Sequence, residues 1–165
     1  MKKEKTLSYK VSLSGIFISI AIVLGTFSIP ILGAKMSPIQ HFINILAAVT
    51  LGPSYAVGCA FISSLLRNIL GTGSLLAFPG SMIGAFCAGI IYKRYKIIQS
   101  ALIGEVIGTG ILGALVAYPI SALVLGRETA TLVYIIPFCL SAFGGGIMAY
   151  GILKIPNIKR LIIEN

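Results

Sequence analysis

Apolar residues run through the chain in five long stretches, 11–34, 36–66, 68–92, 97–126 and 129–153, and Glu105 is the single charge inside any of them. Each is long enough to cross a hydrocarbon core, which takes about 20 residues. The second is too long for one upright helix and contains Gly52-Pro53. A proline ring blocks a helix interior and disfavours helix at the residue before it. Dividing the stretch there predicts helices near 8–29, 39–51, 54–70, 79–94, 98–120 and 130–153. No soluble domain, repeat or low-complexity tract fits between them. Residues 1–165 therefore read as one domain, an all-α integral membrane protein with six transmembrane helices in a compact bundle.

Composition agrees with this reading. The chain is 57% hydrophobic and 10% charged, against about 45–50% and about 25% for soluble domains. The charges add an orientation, because cytoplasmic loops carry excess Lys and Arg. With the N-terminus inside, Lys2, Lys3, Lys5, Lys10, Lys93, Arg94, Lys96, Lys154, Lys159 and Arg160 all fall on the cytoplasmic side. Lys35, Arg67 and Arg127 are left for the outer half. Both termini are thus expected in the cytoplasm, and the net charge of +9 is explained without nucleic acid. Basic residues beside a span are also attracted to anionic lipid. The first apolar stretch exceeds a signal-peptide core and lacks a convincing cleavage site, so the first helix is expected to stay. Helices two and three look short for a full crossing, which implies polar backbone lining a cavity. The loop "SIPILGAKMSPIQH" is placed to fold over it.

The inventory for catalysis is thin: one histidine and four acidic residues, Glu4, Glu105, Glu128 and Glu164. His41 alone supports no two-histidine metal site, no G-x-S-x-G elbow occurs, and no cofactor is implied. Cys59, Cys87 and Cys139 lie far apart inside spans and read as packing residues. "GTGILGA", 108–114, matches a dinucleotide fingerprint but sits inside an apolar span without the strand that motif needs. Gly104 and Gly108 instead form a small face for close helix contact.

Glu105 is the most informative position. A carboxylate near a membrane-helix centre costs roughly 3 kcal/mol on insertion scales, so it faces a cavity or a partner. The sequence leaves open a ligand or proton contact, or a structural pair with Arg67. Arg67 reads either as that partner or as a side chain reaching the outer interface. Asn68 reads as a ligand contact or a helix cap. Gln40, His41 and Asn44 open helix two, with 40 and 44 on one face; each is a candidate ligand contact, and His41 also fits an interfacial residue. Phe78, Tyr118 and Tyr134 lie near outer ends of spans. They form either an interfacial aromatic belt or a stacking wall for a flat ligand.

Three segments, "GAKMSPIQHFINILAAVTLGP", "SSLLRNILGTGSLLAFPGSMIGA" and "GEVIGTGILGALVAYP", resemble the ThiW family of membrane substrate-binding (S) components of energy-coupling-factor (ECF) vitamin importers. The likeness covers nearly the whole chain, and the Arg-Asn to Phe-Pro-Gly block is its most specific part. It implies a multi-pass protein of a prokaryotic plasma membrane that captures a thiamine precursor, hydroxyethylthiazole. Delivery would use a transmembrane coupling protein and two ATP-binding-cassette ATPases, since this chain has no Walker lysine loop. The second reading is an S component or solitary small transporter for another solute, and a membrane enzyme comes third. S components often carry A-x-x-x-A on helix one as the coupling-protein contact; here Gly15-x-x-x-Ser19 stands nearest. In the opening of helix four, Arg67 and Asn68 are expected to end helix three, Gly71 and Gly73 to make the turn, and Phe78 to face the pocket.

Overall fold

The computed structural model of the chain describes residues 5–31, 34–126 and 132–160. Helix α1, Leu7–Leu24, is capped by Thr6, whose side chain accepts from the Tyr9 amide at 3.3 Å. Only Phe17 and Ala21 of this helix are buried. An apolar helix that leaves most of its faces uncovered suits a lipid surround. It stops at Leu24, short of the predicted 29. Gly25 forms the cap, with its carbonyl held by Arg67, and Pro30 fixes extended backbone ahead of itself. The chain then makes a two-stranded antiparallel hairpin, β1 Ile29–Ile31 with β2 Ala34–Met36, in which Pro30 stands opposite Lys35.

Helix α2, Pro38–Leu51, is the centre of the molecule: every residue from Gln40 to Leu51 is buried. Gly52, at φ +89°, turns the chain sharply into α3, Pro53–Ile69, with Pro53 in the first turn where its missing N–H loses nothing. The division at Gly52-Pro53 thus follows from the two residues that suggested it. Gly71 adopts φ +74° in the next turn, and the amides of Thr72 and Gly73 both donate to the Arg67 carbonyl, at 2.9 and 2.8 Å. Helix α4 follows, Ala77–Tyr95.

The next rod runs from Ile98 to Leu123. It consists of α5, Ile98–Ile107, a π-helical segment, Gly108–Gly113, and α6, Ala114–Leu123. The "GTGILGA" sequence is therefore a widened turn of a helix. Gly108 lies so close to α4 that a Cβ there would sit 2.8 Å from the Gly84 Cα, which agrees with the small-residue packing face. Helix α7 is Ile135–Leu153; the expected start near 130 falls on residues outside those described. A short α8, Pro156–Lys159, had no counterpart in the sequence reading.

The architecture is all-α apart from the small hairpin. Among the described residues, α1, the Ile98–Leu123 rod and α7 are each long and apolar enough to cross a membrane, and α2 is a shorter apolar helix. The main core gathers α2 with the inner faces of α1, α3 and α4. A smaller cluster of Leu76, Ala114, Ala117, Tyr134 and Phe138 closes the end near the α3–α4 turn.

Candidate functional site

Polar residues recur along α2 at one-turn intervals, so a helix surrounded by apolar neighbours carries an internal polar stripe. Gln40, His41 and Asn44 are all buried on it. The lower half of the stripe converges on Glu105, which is 0% exposed. Its Oε1 lies 2.8 Å from His41 Nδ1, accepts from Asn44 Nδ2 at 2.9 Å, and is 3.2 Å from the Thr109 hydroxyl. Asn44 also donates to the Ser81 carbonyl at 3.1 Å, and Thr109 reaches the Gly80 carbonyl at 3.0 Å. One carboxylate thereby ties α2, α4 and the π segment together.

An ionised carboxylate only accepts, so His41 Nδ1 carries the proton toward Glu105 in that state. The other ring nitrogen, Nε2, makes no hydrogen bond among the described residues, and His41 lines a cavity. Glu105 thus holds the imidazole in one orientation, as outer partners of functional histidines do.

A second cluster centres on Arg67. The guanidinium donates to Gln40 Oε1 and, at 2.5 Å, to the Gly25 carbonyl. Gln40 Nε2 donates in turn to Ser64 Oγ at 3.0 Å, and Ser64 Oγ is 3.0 Å from Ser81 Oγ. Arg67 is 3% exposed and forms no bond to Glu105. Both readings of Arg67 are corrected here. Neighbouring helices and the Gly25 turn enclose it away from the interface, and His41 occupies the position beside Glu105.

Between the clusters and the hairpin lies a narrow cavity of about 30 Å³ that widens toward an open mouth. Gln40 and His41 of α2, Arg67 of α3, Gly80 and Ser81 of α4, Thr109, and Phe138 and Ser141 of α7 form its walls. Lys35 and Ser37 line it beside the hairpin. The loop after Arg67 contributes Ser74 and Leu76. Phe138 packs close over Gly80, where a Cβ would sit 3.0 Å from its ring.

Of the residues singled out from sequence, Gln40 and His41 line this cavity, while Asn44 and Glu105 lie directly behind them. Asn68 faces the α3–α4 turn, donating to the carbonyls of Ser64 and Ser74 at 2.8 and 3.1 Å, a cap rather than a cavity contact. Phe78 packs on Phe61, ring centroids 5.8 Å apart, and is not in the cavity wall. Tyr118 is half-buried on α6 and also outside the wall. Tyr134 stands behind Phe138, centroids 6.2 Å apart, with its hydroxyl 2.5 Å from Ser121 Oγ. Thr109, Phe138 and Ser141 were missed. The four-residue step from Glu105 to Thr109 was the available signal for the first; Phe138 and Ser141 carried none distinguishable from packing.

On α1, Gly15 and Ser19 are exposed, and Ser19 Oγ donates to the Gly15 carbonyl at 2.9 Å. Gly15 borders an apolar groove between α1 and α3.

Several helices apolar enough to cross a membrane, packed around a cavity with Arg67 and Glu105 turned inward, suit a multi-pass membrane protein. The chain belongs to the ThiW family, described as thiamine-precursor transporter protein, whose family model matches residues 11–158. No curated protein and no solved structure matches it.

Proposed function

We propose that this protein is the S component of an ECF-type importer and that its cavity captures hydroxyethylthiazole. The observation that carries the reading is the small cavity in which one flat apolar wall, Phe138, stands among placed polar groups, His41, Gln40, Thr109 and Ser141. Such a site suits a small ring with a nitrogen and a hydroxyl, held by enclosure and a few directed hydrogen bonds. Phe138 takes the ring face, and His41 Nε2 meets a polar atom of the ligand. Asn44 and Glu105 act through His41 by fixing its orientation.

Six crossings with both termini in the cytoplasm put the hairpin and the cavity mouth on the outside. Lys93, Arg94, Lys96 and Lys154 then mark the cytoplasmic ends of α4 and α7. In this arrangement the open face of α1 around Gly15 and Ser19 meets the coupling protein, and two partner ATPases supply the energy, all in a prokaryotic cell membrane.

The test is equilibrium binding of labelled hydroxyethylthiazole to the purified protein in detergent, with thiamine and the pyrimidine precursor as competitors. Tight binding displaced only by thiazoles supports the reading, and absence of binding removes it. Uptake in cells with and without the coupling protein and ATPases separates an S component from a solitary transporter.

A further inference from the structure

The cavity wall holds two basic side chains and, among the described residues, no carboxylate. Arg67 is buried, yet the partners of its guanidinium are neutral oxygens, those of Gln40 and Gly25. Its Nε, also buried, has no hydrogen-bond partner. Glu105 Oε1 is taken by His41, Asn44 and Thr109, and its Oε2 is buried without a partner behind the cavity wall, with no bond to Arg67. Ser37 Oγ, in the same wall, is likewise buried without a partner. Lys35 stands at the rim on β2, its Nζ 3.4 Å from the Gly71 carbonyl.

A guanidinium withdrawn from water without a counter-charge is unfavourable, and an anion beside it reverses that penalty. The planar fork of arginine matches the oxygens of a phosphate or carboxylate, and hydroxyl donors complete such sites. The neutral thiazole alcohol leaves Arg67 uncompensated. An oxyanion gives a partner to the arginine and to the Ser37 hydroxyl, and a second positive charge to its own outer side through Lys35.

We propose that the cavity contains an oxyanion subsite, in which Arg67, Lys35 and Ser37 receive the phosphate of a thiazole precursor presented as its phosphate monoester. The remainder of the ligand rests on the thiazole reading above; the anion rests on Arg67 and its neighbours.

The experiment measures binding of hydroxyethylthiazole, its phosphate monoester and inorganic phosphate to the full chain in detergent, for the native sequence, Arg67→Gln and Lys35→Gln. The monoester is expected to bind at least about tenfold more tightly than the alcohol, the ratio that one charge-assisted hydrogen bond supplies. Both variants shrink that ratio. Should Arg67→Gln fail to fold, Lys35→Gln carries the comparison, because Lys35 is exposed on the hairpin. Inorganic phosphate that displaces the monoester upholds the subsite. Phosphate that instead tightens binding of the alcohol also upholds it and assigns the oxyanion to a separate ligand. Equal affinity for alcohol and monoester, with no effect of phosphate, overturns the subsite and leaves the thiazole reading intact. If neither thiazole binds, that reading falls and phosphate alone decides: a rise in unfolding temperature that Lys35→Gln diminishes upholds the subsite, and no rise overturns it.

Discussion

Glu105 Oε1 and His41 Nδ1 lie 2.8 Å apart, joining the π-segment rod to the central helix at a point where the carboxylate is fully enclosed. Glu105→Gln keeps an acceptor oxygen for His41 and Asn44 but removes the charge that fixes the imidazole. Glu105→Ala removes the acceptor as well and orphans a buried imidazole nitrogen, a loss of about 1–3 kcal/mol. Thermal unfolding in detergent is expected to place Glu105→Ala below Glu105→Gln. Thiazole affinity is expected to fall about tenfold in Glu105→Gln. An unchanged affinity there dismisses the role given to the carboxylate charge.

Phe138 and Phe78 separate a cavity wall from a helix-surface contact. Phe138→Leu removes an aromatic face from the cavity and is expected to weaken ligand binding about tenfold. Phe78→Leu changes only the contact with Phe61 and is expected to leave affinity within about twofold of the native value. Titrations of the two variants with the same ligand check the assignment, and equal losses contradict it.

Gly84 faces the carboxylate network across the α4–α5 contact. A Cβ there would meet Thr109 Oγ1 and would sit 2.8 Å from Glu105 Oε1. Gly84→Ala is therefore expected to destabilise by about 1–3 kcal/mol, the usual range for overpacking. Gly58→Ala, where a Cβ meets open space, is the control on α3. Unfolding midpoints that coincide for the two variants would remove the close approach as a constraint.

Gly15 offers a different kind of test, since a Cβ there meets nothing within 4 Å. Gly15→Leu is expected to leave ligand binding in detergent unchanged and to lower uptake in cells supplied with the coupling protein and ATPases. Normal uptake in that variant rules out this part of α1 as the docking face.

The sequence was most legible where chemistry is costly in an apolar setting. Glu105 and the stripe of Gln40, His41 and Asn44 stood out because a polar group on a membrane helix needs a partner, and the structure brings His41 and Asn44 to Glu105 while Gln40 joins Arg67. Which partner each takes depends on helix rotation, and there the reading failed: Arg67 was given to Glu105 or to the interface, while the fold turns it toward Gln40 and Gly25. The aromatic residues were harder still. Phe78 and Phe138 differ only in which way their helices face, and hydrophobic content does not encode that. The break at Gly52-Pro53 was readable because a positive φ and a missing N–H are local properties. The pairing of 29–31 with 34–36 was not, since the strands are three residues each and, among the described residues, pair only with one another.

The π-helical turn at Gly108–Gly113 solves a problem of phase. Glu105, Thr109, Gly113, Ala117 and Ser121 are all buried, and they recur at intervals of four. On an α-helix of 3.6 residues per turn, each such step advances the residue by about 40°, so a straight helix would carry the series around to the opposite side. The widened turn absorbs much of that drift, letting one rod present a carboxylate and a hydroxyl to the cavity and then alanines and a serine to the closing cluster. An ordinary α turn here, with every residue kept, would rotate everything beyond it by about 100°. Leu115 and Val116, now on the outside, would move toward the interior, so the segment sets the register of the whole second half of the rod.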